Sequence, residues 1–152
     1  MKYTNDYMYS KDIDWFCVIN KNYIHVASAG GILPEPINNR DKLRKIQKQV
    51  FDLPHIFTNE EIIINQRFLN YRFDNEEDKS NYLQSFIDMA KKGFISMDRT
   101  NLSDLDEQIY HIVCMPASPR PLEALNGIFK IVHHNQNLFS KPIDNIPLLD
   151  FF

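Results

Sequence analysis

Cys17 and Cys114, with His25 and His111, are the residues whose chemistry could be nucleophilic. A cysteine attacks as the thiolate, and a neighbouring histidine is the usual means of holding it in that form. His25 lies eight residues after Cys17, and His111 three before Cys114. Neither cysteine sits in a nucleophile elbow or at a helix N-terminus, where a thiolate is stabilised. Their surroundings are those of core cysteines, small apolar groups with an inert thiol. The two are far apart in the chain and are read as reduced.

Metal chemistry has less support. His133 and His134 are adjacent, so on a strand they point to opposite faces and cannot share an ion. No C-x-x-C, H-x-x-x-H or H-E-x-x-H spacing occurs. Asp104-Leu105-Asp106-Glu107 begins like a calcium loop but lacks the glycine and closing glutamate. No metal and no cofactor is expected.

Three groupings could bind rather than react. Ser28-Ala29-Gly30-Gly31 follows a strand and could turn backbone N–H groups toward an anion. Leu33-Pro34-Glu35-Pro36 comes next, where a phosphate loop would start a helix, so the glycines are read as a strand end. Asp98-Arg99-Thr100-Asn101 is a polar strand-end cluster, a small-ligand candidate that is also an ordinary turn. Arg40, Arg44, Lys45 and Lys48 make a basic helix face that could meet phosphates. Asp41 is spaced to pair with Lys45, and the face reads as solvated rather than as a nucleic-acid surface. Asp12, Asp14, Asp98 and Glu107 lie near strand ends, with nothing to say which face each other across a cleft. Aromatic and other apolar residues also gather at both ends of the chain: Tyr3, Tyr7 and Tyr9 at one, Leu148, Leu149, Phe151 and Phe152 at the other. Such groups close a domain's own sheet or form an interface.

Composition bounds these possibilities. A chain of 152 residues is the length of one domain, read as 1–152 with an arm at 1–12 and an apolar docked tail at 138–152. Hydrophobic content of 43% and aromatic content of 12% point to a folded globule. The net charge of −3 sets up no global field for nucleic acid or an anionic membrane. The first residues lack a signal-peptide h-region, and no apolar run approaches a membrane span. A cytoplasmic protein is therefore expected.

The elements that must position these residues centre on Ile13 to Gly31. Ile13–Ile19 and Tyr23–Ala29 are dense in β-branched and aromatic residues, and Asn20-Lys21-Asn22 between them makes a tight turn, so the pair is a hairpin. Apolar residues on both faces mark strands covered on both sides. Leu43, Ile46, Val50 and Leu53 recur at helical spacing, which predicts a helix over Arg40–Phe51 with Asn39 as N-cap. Thr58 and Glu61 form a capping box that predicts a second helix to about Tyr71; Ile62-Ile63-Ile64 reads alternatively as a short strand. A third helix spans 75–92, with Asp74 and Glu77 as its cap and Gly93 as its C′ residue. Strands are predicted at Phe94–Asp98, Gln108–Met115 and Ile128–His134.

The resulting expectation is an α+β fold in the order ββαααβββ: a mainly antiparallel sheet of about five strands with three helices packed on one face. The functional expectation is a non-enzymatic interaction module for a protein partner or a second copy of itself. Its surface would be the sheet edge and the aromatic termini. The alternative is a small enzyme or ligand-binding domain with a pocket between sheet and helices, lined by Trp15, Cys17, His25 and His111.

Overall fold

The computed structural model describes residues 1–19, 22–107 and 109–118. Five strands form one sheet: β1 (Asp14–Ile19), β2 (Asn22–Ala27), β3 (Ile62–Ile64), β4 (Ile95–Arg99) and β5 (Tyr110–Pro116). Their spatial order is β1-β2-β4-β5-β3. The α+β class is as expected, but the sheet is mixed. β1–β2, β4–β5 and β3–β5 are antiparallel, whereas β2 and β4 run parallel. A parallel pair needs a long crossover, and here the whole block between β2 and β4 supplies it.

The hairpin forms with Trp15 opposite Val26 and Cys17 opposite Ile24. Val26 then pairs with Met97, and Met97 with Ile112. Trp15, Val26, Met97 and Ile112 thus make one row across four strands, all of them buried. Strand alternation sends Phe16, His25, Ser96 and Cys114 to the other face, with Asp14, Ala27, Asp98 and His111 in the next row.

Among the described residues four helices accompany the sheet, not three: α1 (Asn5–Tyr9), α2 (Arg40–Phe51), α3 (Gln66–Arg72) and α4 (Glu76–Lys91). Nor do they share one face. α3 and α4 cover the His25 face, where Phe86 meets His25 and Phe68 meets His111. α2 lies along the outer edge of β1, where Gln47 donates to the Asp14 carbonyl at 2.8 Å. Lys92, just past α4, donates to the Val50 and Phe51 carbonyls and so ties the C-terminal ends of α2 and α4 together.

Local signals explain most boundaries. Asn39 caps α2 by accepting from the Lys42 N–H at 3.1 Å. Gly93 takes φ 105° and ends α4, a conformation that few other residues adopt at low cost. The α4 cap is Asn75 rather than Asp74; its side chain accepts from the Asp78 N–H at 2.8 Å. The predicted helix 58–71 does not exist as one element. Glu61 does reach back to the Thr58 N–H, but only over the single 3-10 turn Asn59–Glu61. Pairing with β5 then draws Ile62–Ile64 into the sheet, and Asn65 starts α3 afresh. The arm at 1–12 contains α1, capped by Thr4. Among the described residues no helix is long and apolar enough to cross a membrane. The predicted strand Ile128–His134, the paired His133 and His134, and the tail with Leu148, Leu149, Phe151 and Phe152 lie outside the described residues.

Candidate functional site

Two arrangements of polar side chains stand out, one beneath the helices and one at the edge of β1.

Beneath α3 and α4 the sheet carries a polar layer. His25 Nε2 lies 2.8 Å from Asp14 Oδ1, and its Nδ1 lies 2.7 Å from Ser96 Oγ. An imidazole protonated on Nε2 satisfies both bonds, donating to the carboxylate and accepting from the hydroxyl. The order carboxylate, imidazole, hydroxyl is that of a hydrolytic triad, but Ser96 is sealed in the sheet and cannot meet a substrate. One row over, Asp98 accepts from the Tyr82 hydroxyl and from the Arg99 N–H, with Arg72 at 3.6 Å. Burial outweighs these partners and pushes the Asp98 carboxyl up to about 6. His111 Nδ1 bonds Thr100 Oγ1 at 2.9 Å, while Nε2 has no hydrogen-bond partner among the described residues. Burial, aided by the Arg72 charge, lowers its pKa to about 3, so the ring is neutral.

The second arrangement is an open cleft of about 390 Å³. It is lined by Tyr3 and Tyr7, their rings stacked at 5.1 Å. Lys11, Asp12, Ile13, Asp14 and Phe16 line it from the start of β1 and the residues before it. Arg44, Gln47 and Phe51 on one stripe of α2, with Met89 of α4, complete the lining. Phe51 is 77% exposed, an unusual position for so large an apolar ring. Asp12 and Asp14 are both anchored from behind: Asp12 accepts from the Ala29 N–H at 2.8 Å, and Asp14 from His25.

The predicted pocket of Trp15, Cys17, His25 and His111 does not form. Trp15 and Cys17 are on one face of the sheet, His25 and His111 on the other. Cys17 faces Ile24 across the hairpin, not His25. Cys114 shares the histidine face but pairs with Ser96. Both cysteines are free and buried, and burial pushes both thiols well above their ordinary pKa. Ser28, Gly30, Gly31, Asp98 and Arg99 are brought together, but as structure. The Arg99 guanidinium, 1% exposed, donates to the carbonyls of Ser28, Ala29, Asn101 and Asp104. It fills the space an anion would need and turns those carbonyls, not N–H groups, inward. Of the basic face, Arg44, Lys45 and Lys48 are exposed and without ion pairs among the described residues. Asp41 pairs with the N-terminal ammonium at 3.7 Å rather than with Lys45. Tyr7 is part of the cleft, while Tyr9 donates its hydroxyl to Asp106 at 2.6 Å.

Ser96, Tyr82, Arg72 and Phe51 are not legible as site residues from sequence, and Gln47 is legible only as part of the basic helix face. Only Phe51 carries a signal: it breaks an otherwise polar stripe with Arg44 and Gln47 at i, i+3, i+7 spacing. In comparisons with known proteins, no family model, no curated protein and no solved structure matches the chain.

Proposed function

We propose that this chain is a non-enzymatic protein-interaction module that docks an extended segment of a partner protein in the cleft beside β1. The observation that carries the reading is the lining of the cleft: stacked Tyr3 and Tyr7 and an exposed Phe51 share it with the charged side chains of Lys11, Asp12, Asp14 and Arg44. Aromatic anchors within a polar rim are the composition of a protein interface. The reactive groups argue the same way, since Cys17, Cys114, Ser96 and His111 lie buried and out of reach of a substrate.

The test is selection from a phage-displayed random dodecapeptide library, with binding of the enriched peptides measured by fluorescence anisotropy. Enriched peptides should share a motif and lose affinity for Phe51→Ala and for Tyr7→Ala. Failure to enrich any sequence, or binding indifferent to both substitutions, refutes the reading. Sedimentation velocity over a range of concentrations distinguishes a second copy of this chain as the partner from a different protein.

A further inference from the structure

We infer that the segment docked in this cleft carries a lysine or arginine side chain whose charge is received by Asp14. This rests on the docking reading above and names the partner's chemistry.

Asp14 lines the cleft beside Ile13 and Phe16, and its side chain is 50% exposed. One carboxylate oxygen takes the Nε2 side of His25, which is 2% exposed and pinned in turn by Ser96. The carboxylate is therefore oriented from behind by a buried relay, and not by a lysine or arginine. No lysine or arginine pairs with Asp14 among the described residues, although Lys11 and Arg44 line the same cleft. Asp12, two residues earlier, is anchored in the same manner by the Ala29 N–H and has no ion pair among the described residues. A half-exposed carboxylate whose geometry is fixed in advance loses little freedom on meeting a cation, which is what makes an anchor effective.

The surroundings suit the same group. Tyr3, Tyr7 and Phe51 line the same cleft, with the Lys92 ammonium already 5.6 Å from the Phe51 ring centre, and the mostly buried Phe16 adds to the lining. Aromatic faces attract a cation and also cover the methylene stem of a long basic side chain. Gln47 already occupies the Asp14 carbonyl, so the strand edge there is not offered for backbone pairing and recognition falls to side chains. Arg44 and Lys11, also in the lining, supply the opposite sign, which an acidic residue or a backbone carbonyl of the docked segment would meet. They also act against placing several basic residues side by side, so the favoured segment holds one basic anchor among apolar and acidic neighbours.

The experiment uses the peptides enriched in the selection above. The expected result is one position occupied by Lys or Arg, whose replacement by norleucine lowers affinity for the wild-type protein about tenfold. Against Asp14→Asn, the same replacement should change affinity little, because the group that received the charge is gone. Replacement on the peptide requires no variant protein, so the inference is tested even if Asp14→Asn disturbs His25. Peptides that bind, depend on Phe51 and yet contain no basic position overturn this inference and leave the docking reading standing. So does a norleucine penalty of equal size in wild type and Asp14→Asn. Binding that ignores Phe51→Ala and Tyr7→Ala, or no binding at all, overturns both.

Discussion

Arg99 and Gly31 make a quantitative prediction. A Cβ added at Gly31 would lie 2.6 Å from Arg99 Nε, 2.7 Å from its Cδ and 3.1 Å from the Ser28 carbonyl oxygen. Ordinary contact begins near 3.5 Å, so Arg99 would have to retreat by roughly 1 Å. It is not free to do so: Nε is bonded to Ser28 at 2.9 Å, Nη2 to Ala29 at 2.8 Å, and Nη1 to Asp104 at 2.7 Å and to Asn101. Overpacking of this kind costs about 1–3 kcal/mol, and each lost hydrogen bond from a charged donor a further ~1.5–3 kcal/mol. Reduced freedom of the unfolded chain returns about 0.4–1 kcal/mol for a glycine-to-alanine change. Gly31→Ala should therefore destabilise the protein by about 2–4 kcal/mol, a large share of the ~5–15 kcal/mol typical of a domain. Urea unfolding followed by the fluorescence of Trp15, the only tryptophan and fully buried, measures it directly. In an Arg99→Ala background the obstacle is gone, and Gly31→Ala should cost under about 1 kcal/mol, which makes a double-mutant cycle with large coupling. A cost below about 1 kcal/mol in the wild-type background, or an undiminished cost beside Arg99→Ala, would refute the reasoning.

Three further outcomes are expected. Asp98 is pushed up to about 6 from an ordinary value of 3.8, so the native state holds its proton more tightly than the unfolded chain does. Its stabilising contribution is present below the unfolded value and is lost as pH rises through about 6. The stability of wild type relative to Asp98→Asn should therefore rise by on the order of 1–3 kcal/mol between pH 7 and pH 4; parallel pH profiles from chemical denaturation would contradict this. Asn65 caps α3 through the Phe68 N–H at 3.0 Å and donates to the Ile112 carbonyl at 2.8 Å. Asn65→Ala should cost about 2–3 kcal/mol in the same urea assay, from a lost cap and an unmet buried carbonyl, and a change below ~0.5 kcal/mol would show that neither bond matters. Cys17 and Cys114 should react with a thiol reagent only as fast as the protein opens, with rates that rise in step with urea; labelling of the native protein at the rate of an unfolded cysteine would show that burial does not protect them.

How far the sequence could be read varied with the range of the forces involved. α2 and α4 were legible because their signals are local: an apolar stripe, an asparagine cap, and a glycine at the end of α4. α1 was not, since five residues are too few for a period to register and its tyrosines favour strands. At Ile62–Ile64 a genuine capping box pointed to a helix, and the partner strand β5, about fifty residues away, prevailed. Of the candidate site, Tyr7 and the basic face of α2 were visible, and Asp14 was named without a partner. Gln47 reads from sequence only as part of the basic helix face, and Phe51 not as a site residue at all, because nothing in the sequence places α2 beside β1.

Local signals were enough for the α+β class, the opening hairpin with its two alternating faces, the bounds of α2 and, to within a residue, those of α4. These follow from propensities, caps and periods that act within a few residues. The tertiary structure alone decided that β2 and β4 run parallel, that the sheet divides Trp15 and Cys17 from His25 and His111, and that Asp14 reaches a cleft with a buried imidazole behind it. The reason is physical. Which strand lies beside which depends on contacts between residues remote in the chain, and the pleat converts that choice of neighbour and register into the face, and so the chemistry, that each side chain presents.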